Sequence, residues 1–116
     1  LDAATPGNYP PYDIVKTGAE TYEIRVAAAG FRQGEIDVEY HEGQLKIVGS
    51  QQADDRDGEE YLHHGISNRQ FIRTFSLADY VQVREAVMQD GILTVHLQRE
   101  IPEAQKPKQI AITYTN

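Results

Sequence analysis

The chain of 116 residues contains no cysteine and no tryptophan, and it has a single methionine. Without cysteine the protein can form neither a disulfide framework nor a thiolate nucleophile, which fits a reducing compartment, so we expect a cytoplasmic location. Basic residues are also few, because 11 Lys and Arg stand against 18 Asp and Glu, for a formal net charge of −7. This balance disfavours nucleic acids and anionic membranes, which reward clusters of Lys and Arg.

Long apolar runs and catalytic motifs are missing as well. No stretch approaches the ~18 consecutive apolar residues that a membrane helix needs. The serines Ser50, Ser67 and Ser76 lie outside any GxSxG setting, and neither a GxxxxGK(S/T) nor a GxGxxG phosphate loop occurs. The adjacent His63 and His64 would point to opposite faces of a strand, so they cannot chelate one ion together. We expect no catalytic site, no cofactor and no metal, with a surface metal contact as the less favoured alternative.

Apolar and polar residues alternate along five segments, with the period of two that half-buried β-strands show. One of them, TYEIRVAAAG, places Tyr22, Ile24 and Val26 on one face and Glu23 and Arg25 on the other. The other four segments are EIDVEYHE, QLKIVGS, RQFIRTFSL and GILTVHLQR. Short strands separated by glycine-containing turns predict a single all-β domain, an immunoglobulin-like antiparallel β-sandwich.

Two turns and one ambiguous segment belong to the same prediction. Gly43 and the pair Asp90 and Gly91 stand where tight hairpins are needed. The segment SLADYVQVREAVMQ is the best candidate for a helix, but its valines at 81, 83 and 87 disfavour one. We predict a turn here, followed by a short strand near 83–88.

The segment 50–66 is too long for a hairpin loop, and loops of this length are commonly functional or mobile. Its Tyr61 and Leu62 form a small apolar patch in an acidic stretch, and the patch needs a partner. Two interpretations stay open. The segment either folds back onto its own domain or lends a short strand to a neighbouring subunit.

The end of the chain, residues 100–116, is here called the tail. Pro102 and Pro107 remove backbone donors and disfavour a central strand, so they act as a semi-rigid spacer that keeps the chain extended. Ile110 and Ile112 follow the spacer, one residue apart and therefore on one face of a strand-like end. They either close the domain's own core or dock on another copy, and the prolines favour docking.

Arg73 is a charge on an otherwise apolar face. Alternation places it on the same side as Phe71 and Phe75. An unpaired guanidinium there would cost several kcal/mol, on the order of a broken buried ion pair. Either the stem packs while the head reaches solvent, or the head makes an ion pair at a subunit boundary.

Several motifs, in order, resemble those of the small heat-shock proteins, which share the α-crystallin domain. RQFIRTFSL is similar to the strand that carries the family's arginine, here Arg73, and IAI is similar to its C-terminal Ile-x-Ile anchor. NYPPYDI and EIPEAQKPKQIAI are most similar to the bacterial class that includes the inclusion-body-binding chaperones. Ala78 stands where the family often has proline. The hallmark Ala-xxx-polar-Gly-aliphatic-Leu is matched by Ala86, Asp90, Gly91, Ile92 and Leu93.

The resemblance implies an α-crystallin domain of seven to eight strands over 8–99, a remnant of an N-terminal arm in 1–7, and a C-terminal extension in 100–116. It implies dimers made by strand exchange through 50–66 and larger homo-oligomers made by docking of the tail. The implied dimer interface contains Tyr61, Leu62 and Arg73; the implied tail-receiving groove contains Ile36, Val38, Tyr40, Val83 and Val87; the implied anchor is Ile110 with Ile112.

The resemblance also implies a function, that of a holdase chaperone, which binds unfolding proteins without ATP and prevents their aggregation. The expected partners are unfolding clients and further copies of the chain, and neither nucleic acid nor membrane. One alternative is a co-chaperone adaptor of the CS-domain type, which would be a monomer and would not need the two isoleucines. Another is an enzyme or a carbohydrate-binding sandwich, for which no tryptophan platform exists.

Overall fold

The computed structural model describes residues 8–52, 59–66 and 69–116. In these residues the chain forms antiparallel β-strands in two sheets, which confirms the predicted all-β sandwich. The strands are β1 (Tyr12–Lys16), β2 (Thr21–Ala27), β3 (Ile36–His41), β4 (Gln44–Ser50), β5 (Gln70–Ser76), β6 (Val81–Gln89) and β7 (Ile92–Arg99). A 3-10 turn, Glu103–Gln105, follows the last strand. No helix in the described part of the chain is long and apolar enough to cross a membrane.

The larger sheet contains four strands in the order β1-β2-β7-β6, and the smaller sheet contains three in the order β3-β4-β5. The edge strands are therefore β1 and β6 in one sheet and β3 and β5 in the other. The sequence does not predict β1, because Ile14 and Val15 are neighbours and interrupt the alternation. Strand β6 is longer than the segment predicted near 83–88, and it is a strand rather than a helix.

The core lies between the sheets and is built from inward-facing, alternate residues of the strands. Its buried apolar side chains are Ile24, Val26, Ala28, Leu45, Ile47, Phe71, Phe75, Val81, Leu93, Val95 and Leu97. Burial of each large one contributes ~1.5–3 kcal/mol. Gly49 makes room for this packing, because a Cβ at that position would lie 2.1 Å from Cε2 of Phe71.

Two-residue turns connect β3 to β4 and β6 to β7. Glu42 and Gly43 have φ of 47° and 79°, and Asp90 and Gly91 have φ of 53° and 77°. Positive φ at both central residues is the type I′ geometry, whose twist matches that of the flanking strands. Both predicted hairpins are confirmed.

Strand β6 contains a β-bulge. Val83 pairs with Leu97, but the next residue of β7, His96, pairs with Glu85 rather than with Arg84. One extra residue in β6 reverses the inward and outward positions that follow it. This reversal decides which side chains of β6 face the smaller sheet.

Candidate functional site

An apolar groove lies between the edge strands β3 and β6, which belong to different sheets. It encloses about 510 Å³. The apolar side chains that line it are Phe31, Ile36, Val38, Ala86, Met88 and Leu93. A groove with apolar walls beside a strand edge can accept the alternate side chains of an extended peptide.

Part of the predicted groove lining comes together in the structure. Ile36 and Val38 line the groove from β3. Tyr40 lies farther along the same strand, where its hydroxyl donates a hydrogen bond of 3.3 Å to the Val81 carbonyl oxygen and thereby joins the two sheets. Val83 packs against the core.

Val87 lies on the outer face of β6, opposite Thr94, and not on the groove side. The bulge at Arg84 shifts the alternation by one residue, so that Ala86 and Met88 take the inward positions. Of the five predicted residues, the lining therefore contains Ile36 and Val38, and Ala86 and Met88 form its wall on β6 in place of Val87. The sequence carries a signal of the shift, since the inward apolar residues change from odd positions, 81 and 83, to even ones, 86 and 88.

The hallmark residues shape the same groove. Ala86 and Leu93 line it. Gly91 closes the β6–β7 hairpin, and its carbonyl oxygen accepts a hydrogen bond of 2.8 Å from the Ala28 N–H. A Cβ on Gly91 would come within 3.1 Å of the Ala29 Cβ. Glycine at this position therefore lets the hairpin close against the end of β2.

The two isoleucines of the tail do not enter the core of their own domain. Ile110 is 78% exposed and Ile112 is 73% exposed. All residues from 102 to 116 are exposed, and residues 106–116 have no regular secondary structure. The alternative in which this pair closes its own domain is therefore wrong.

In the 50–66 segment, residues 53–58 lie outside the described residues. The rest of the segment after them, 59–66, forms no strand within the chain. Leu62 is 99% exposed, and Tyr61 is half exposed with its ring edge-on to His64, 4.1 Å between centroids. A cavity of about 380 Å³ separates this part from the turn 30–35. The role of Tyr61 and Leu62 at a dimer interface stays a prediction.

The start of the 50–66 segment, Gln51 and Gln52, is here called its stem. Two polar side chains, Glu35 and Gln51, tie it to the turn 30–35. The Glu35 carboxylate accepts hydrogen bonds from the backbone N–H groups of Arg32 (2.6 Å) and Gln52 (2.7 Å). The Gln51 amide accepts from the Arg69 N–H (2.7 Å) and donates to the Gly30 carbonyl oxygen (2.9 Å).

These bonds affect the protonation of Glu35. The bond from the Gln52 N–H, followed by that from the Arg32 N–H, lowers the pKa of Glu35 below its ordinary value. The carboxylate form is thus the one that holds the stem. Sequence reasoning missed Glu35 and Gln51, and no local pattern marks them, because their partners lie up to 21 residues away.

Arg73 lies on the inner face of β5 between Phe71 and Phe75, and it is 3% exposed. Its Nη2 donates a hydrogen bond of 3.1 Å to the Pro10 carbonyl oxygen. Its guanidinium lies over the Tyr12 ring, 5.1 Å from the centroid. The interpretation in which the head reaches solvent is therefore wrong. The head fastens the segment before β1 onto β5, and an ion pair with another subunit stays a prediction.

The segment before β1 packs on the same strand through its aromatic side chains. Tyr9 lies edge-on to Phe71, and the Arg69 guanidinium lies 4.3 Å from the Tyr9 ring centroid. Pro10 is fully buried. These contacts, with those of Arg73, fix the entry into edge strand β1.

Titratable side chains do not converge on a metal site in residues 8–52, 59–66 and 69–116, where no group of three or more potential ligands comes together. His63 and His64 are exposed. His96 lies on the outer face of the larger sheet, with Nδ1 3.3 Å from the Glu23 carboxylate.

Comparisons with known proteins identify the family of the chain. Residues 14–113 match the family model described as "Hsp20/alpha crystallin family". The chain is 47% identical over 109 residues to the small heat shock protein HspD of Bradyrhizobium diazoefficiens, covering 94% of this chain and 71% of that one. It is 40% identical over 110 residues to the small heat shock protein IbpB of Serratia proteamaculans, covering 95% and 77%.

A solved structure agrees with the sequence matches. A C-terminally truncated form of the small heat shock protein AgsA from Salmonella typhimurium superimposes with a TM-score of 0.66 and 34% identity, covering 89% of this chain and 98% of that one. The family model covers most of the chain, and the relatives exceed 30% identity. The chain therefore belongs to the Hsp20/alpha crystallin family, the small heat-shock proteins, which are ATP-independent chaperones and not enzymes.

Proposed function

We propose that this chain is a holdase, which binds unfolding proteins through exposed apolar surface and keeps them from aggregating. One observation carries the proposal. The same chain has an open apolar groove of about 510 Å³ and an extended tail on which Ile110 and Ile112 are exposed. Exposed apolar surface of this kind marks sites of interaction with other proteins.

The tail of one copy docks in the groove of another. Ile110 and Ile112 lie on one face of an extended chain, and the groove offers Ile36 and Val38 on one wall and Met88 on the other. Burial of two isoleucines contributes ~3–6 kcal/mol. The loss of translational and rotational freedom costs ~4 kcal/mol or more, so a single contact is weak. Many such contacts in one assembly add through effective concentration and still open one at a time.

The dimer forms through the 50–66 segment. Strand β1 is an edge of the larger sheet, and edge strands present backbone N–H and C=O groups that can pair with another chain. A partner's 50–66 segment can add to such an edge, with Tyr61 and Leu62 covering apolar surface of the neighbour. Arg73 contributes indirectly, since it fastens the entry into β1 through Pro10.

Clients bind to the apolar surfaces that become available when tail contacts open. The chain selects clients by exposed apolar surface and not by a fixed pocket, so its range is broad. The net charge of −7 opposes binding to nucleic acids and anionic membranes. A cytoplasmic location stays a prediction.

The proposal is tested by light scattering from a heated model client without ATP, in the presence of the parent chain or of Ile110→Ala/Ile112→Ala. The parent should suppress scattering at equimolar chain concentration. The double variant loses ~3 kcal/mol or more of apolar burial, which weakens docking more than about 100-fold, so it should lose species larger than the dimer. The mass of each species is measured by light scattering after size-exclusion chromatography.

Thr113→Ala is the matched control, because it changes the same tail at a polar position. It should leave both the masses and the suppression unchanged. Lack of suppression by the parent would refute the holdase, and survival of the large species in the double variant would refute tail docking. A parent chain that stays monomeric and ignores Ile112→Ala would instead support the co-chaperone adaptor.

A further inference from the structure

The first part of the tail, residues 100–106, is here called its root. The root is folded against the turn between β5 and β6, although the prolines predict an extended spacer from Pro102 onward. The Glu100 N–H donates a hydrogen bond of 2.8 Å to the Tyr80 carbonyl oxygen. After Pro102 the chain forms the 3-10 turn Glu103–Gln105, which is closed by a bond of 2.9 Å from the Gln105 N–H to the Pro102 carbonyl oxygen. The tail therefore leaves the domain through a defined bend.

Side chains connect this bend to the domain. The Tyr80 hydroxyl donates a hydrogen bond to Oε1 of Gln105. The Arg84 Nη2 forms an ion pair with Oε2 of Glu100, while its Nε donates a bond of 3.1 Å to Oε1 of Gln98. Two domain side chains thus hold two residues of the tail's root.

Two irregular backbone positions supply these domain side chains. Tyr80 has a φ of 68°, in the left-handed region that is uncommon for residues other than glycine. Arg84 is the extra residue of the β6 bulge. Neither residue belongs to the buried core. Bulges and positive-φ residues are commonly retained where they aim a side chain at a functional contact.

We propose that Tyr80, Arg84, Glu100 and Gln105 form a latch that fixes the direction in which the tail leaves the domain. The latch decides which neighbouring groove Ile110 and Ile112 can reach, and hence which assembly forms. Its effect on assembly rests on the proposed tail docking, whereas its effect on the direction of the tail does not.

The latch acts through the effective concentration of the anchor. Ile110 lies four residues beyond Lys106, so the anchor is at most ~14 Å from the end of the bend. A root that rotates freely would spread the anchor over a broad volume and lower its effective concentration at any one groove. A fixed root confines the anchor to one direction. Because the latch is made of exposed polar contacts, which are individually weak, it can release and re-form.

The latch is tested by electron–electron distance measurements between two spin labels. The chain has no cysteine, so Lys46→Cys on β4 and Lys108→Cys just beyond the bend provide the two sites without further changes. The measurements use the Ile110→Ala/Ile112→Ala background, in which the tail has no anchor, and labelled chains are diluted with unlabelled ones. Tyr80→Phe/Glu100→Gln should broaden the distance distribution about two-fold, because the root then behaves as a flexible linker.

Glu20→Gln is the matched control. It removes an exposed ion pair with Arg99, 3.6 Å between Oε2 and Nη1, that does not reach the tail. It should leave the distribution unchanged. The latch would be overturned if the distance distribution were equally broad in Tyr80→Phe/Glu100→Gln and in the chain without these two substitutions, and both had the same melting temperature. Tyr80→Phe alone repeats the test with the loss of a single hydroxyl.

A second measurement separates the latch from the docking on which its effect on assembly rests. A peptide of residues 106–116 is titrated into a chain that ends at residue 105. Two results together support the latch. The peptide should bind equally to the truncated parent and to the truncated Tyr80→Phe/Glu100→Gln variant, and Tyr80→Phe/Glu100→Gln in the chain of 116 residues should form assemblies with a wider range of masses. Lack of peptide binding refutes docking but leaves the distance result decisive for the latch. Unchanged assembly masses despite a broadened distribution refute its role in assembly.

Discussion

The 50–66 segment and the tail both carry large apolar side chains into solvent, but they are attached to the sandwich in different ways. Leu62 in the first and Ile110 in the second are both exposed. The 50–66 segment connects β4 to β5, and Glu35 and Gln51 tie its stem to the turn 30–35. The tail follows the last strand and is tied to the domain at its root.

This difference in attachment fits the two kinds of assembly that we propose. A segment held at both ends can engage only a partner that lies directly against the domain. A tail held at one end extends the chain ~20 Å between Lys106 and Ile112, so it reaches a copy that is farther away. This contrast supports our proposal that the dimer forms through the 50–66 segment and the larger species through the tail.

The largest effect expected from this division follows Leu62→Asp. The substitution places a charge on a side chain that we propose is buried at the dimer interface. Loss of ~1.5–3 kcal/mol of apolar burial raises the dimer dissociation constant about 10- to 100-fold, and the buried charge adds to this. Sedimentation equilibrium in the Ile110→Ala/Ile112→Ala background measures this constant without interference from the anchors.

Tyr114→Asp in the same Ile110→Ala/Ile112→Ala background is the control in the other segment. It makes the same kind of change at an exposed aromatic of the tail. It should leave the dimer dissociation constant unchanged. An equal response to Tyr114→Asp, or none to Leu62→Asp, would contradict the assignment of the dimer to the 50–66 segment.

The parts of the structure that depend on near neighbours in the chain could be predicted from the sequence. Alternation placed Ile24 and Val26 on one inward face, because successive side chains of a strand point to opposite sides. Asp90 with Gly91 predicted a hairpin, because type I′ turns require positive φ at both residues.

The parts that depend on distant residues could not be predicted. The place of Arg73 on the apolar face of its strand was predicted, but the acceptor of its hydrogen bond, the Pro10 carbonyl oxygen, lies 63 residues earlier. The stem contacts of Glu35 and Gln51 are of the same kind. Of the five residues predicted to line the groove, the structure brings Ile36 and Val38 to it, and Val87 lies on the outer face because a single bulge reverses every later position of the strand. The reversal yields the next test.

Met88→Asp and Val87→Asp make the same change on neighbouring residues that face opposite sides of β6. Met88 lines the groove, and Val87 lies opposite Thr94 on the outer face. A carboxylate in the groove removes ~1–2 kcal/mol of apolar contact with the bound peptide. Met88→Asp should therefore weaken binding of a peptide of residues 106–116 about tenfold. Val87→Asp should leave binding within about two-fold. Fluorescence anisotropy of the labelled peptide measures both.

The reverse order of these two effects would mean that the tail binds the outer face of the larger sheet and not the groove. Equal, small effects would mean that the peptide does not use β6. Either result would refute docking of the tail in the groove between β3 and β6.

The smallest expected effect concerns the stem of the 50–66 segment and its pH dependence. Hydrogen bonds from Gln52 and Arg32 lower the pKa of Glu35 below its ordinary value of 4.5, so the contribution of this contact is fully present above pH 4.5. It is lost as the pH falls through the lowered pKa, because the protonated carboxyl accepts these bonds less well. The amide chemical shifts of Gln52 and Arg32 should therefore titrate together with a midpoint below 4.5. Glu35→Gln should abolish the titration.

Two outcomes would show that this carboxylate does not hold the stem: a midpoint at or above 4.5, or a titration that persists in Glu35→Gln. The 50–66 segment would then be less firmly attached than the comparison with the tail requires.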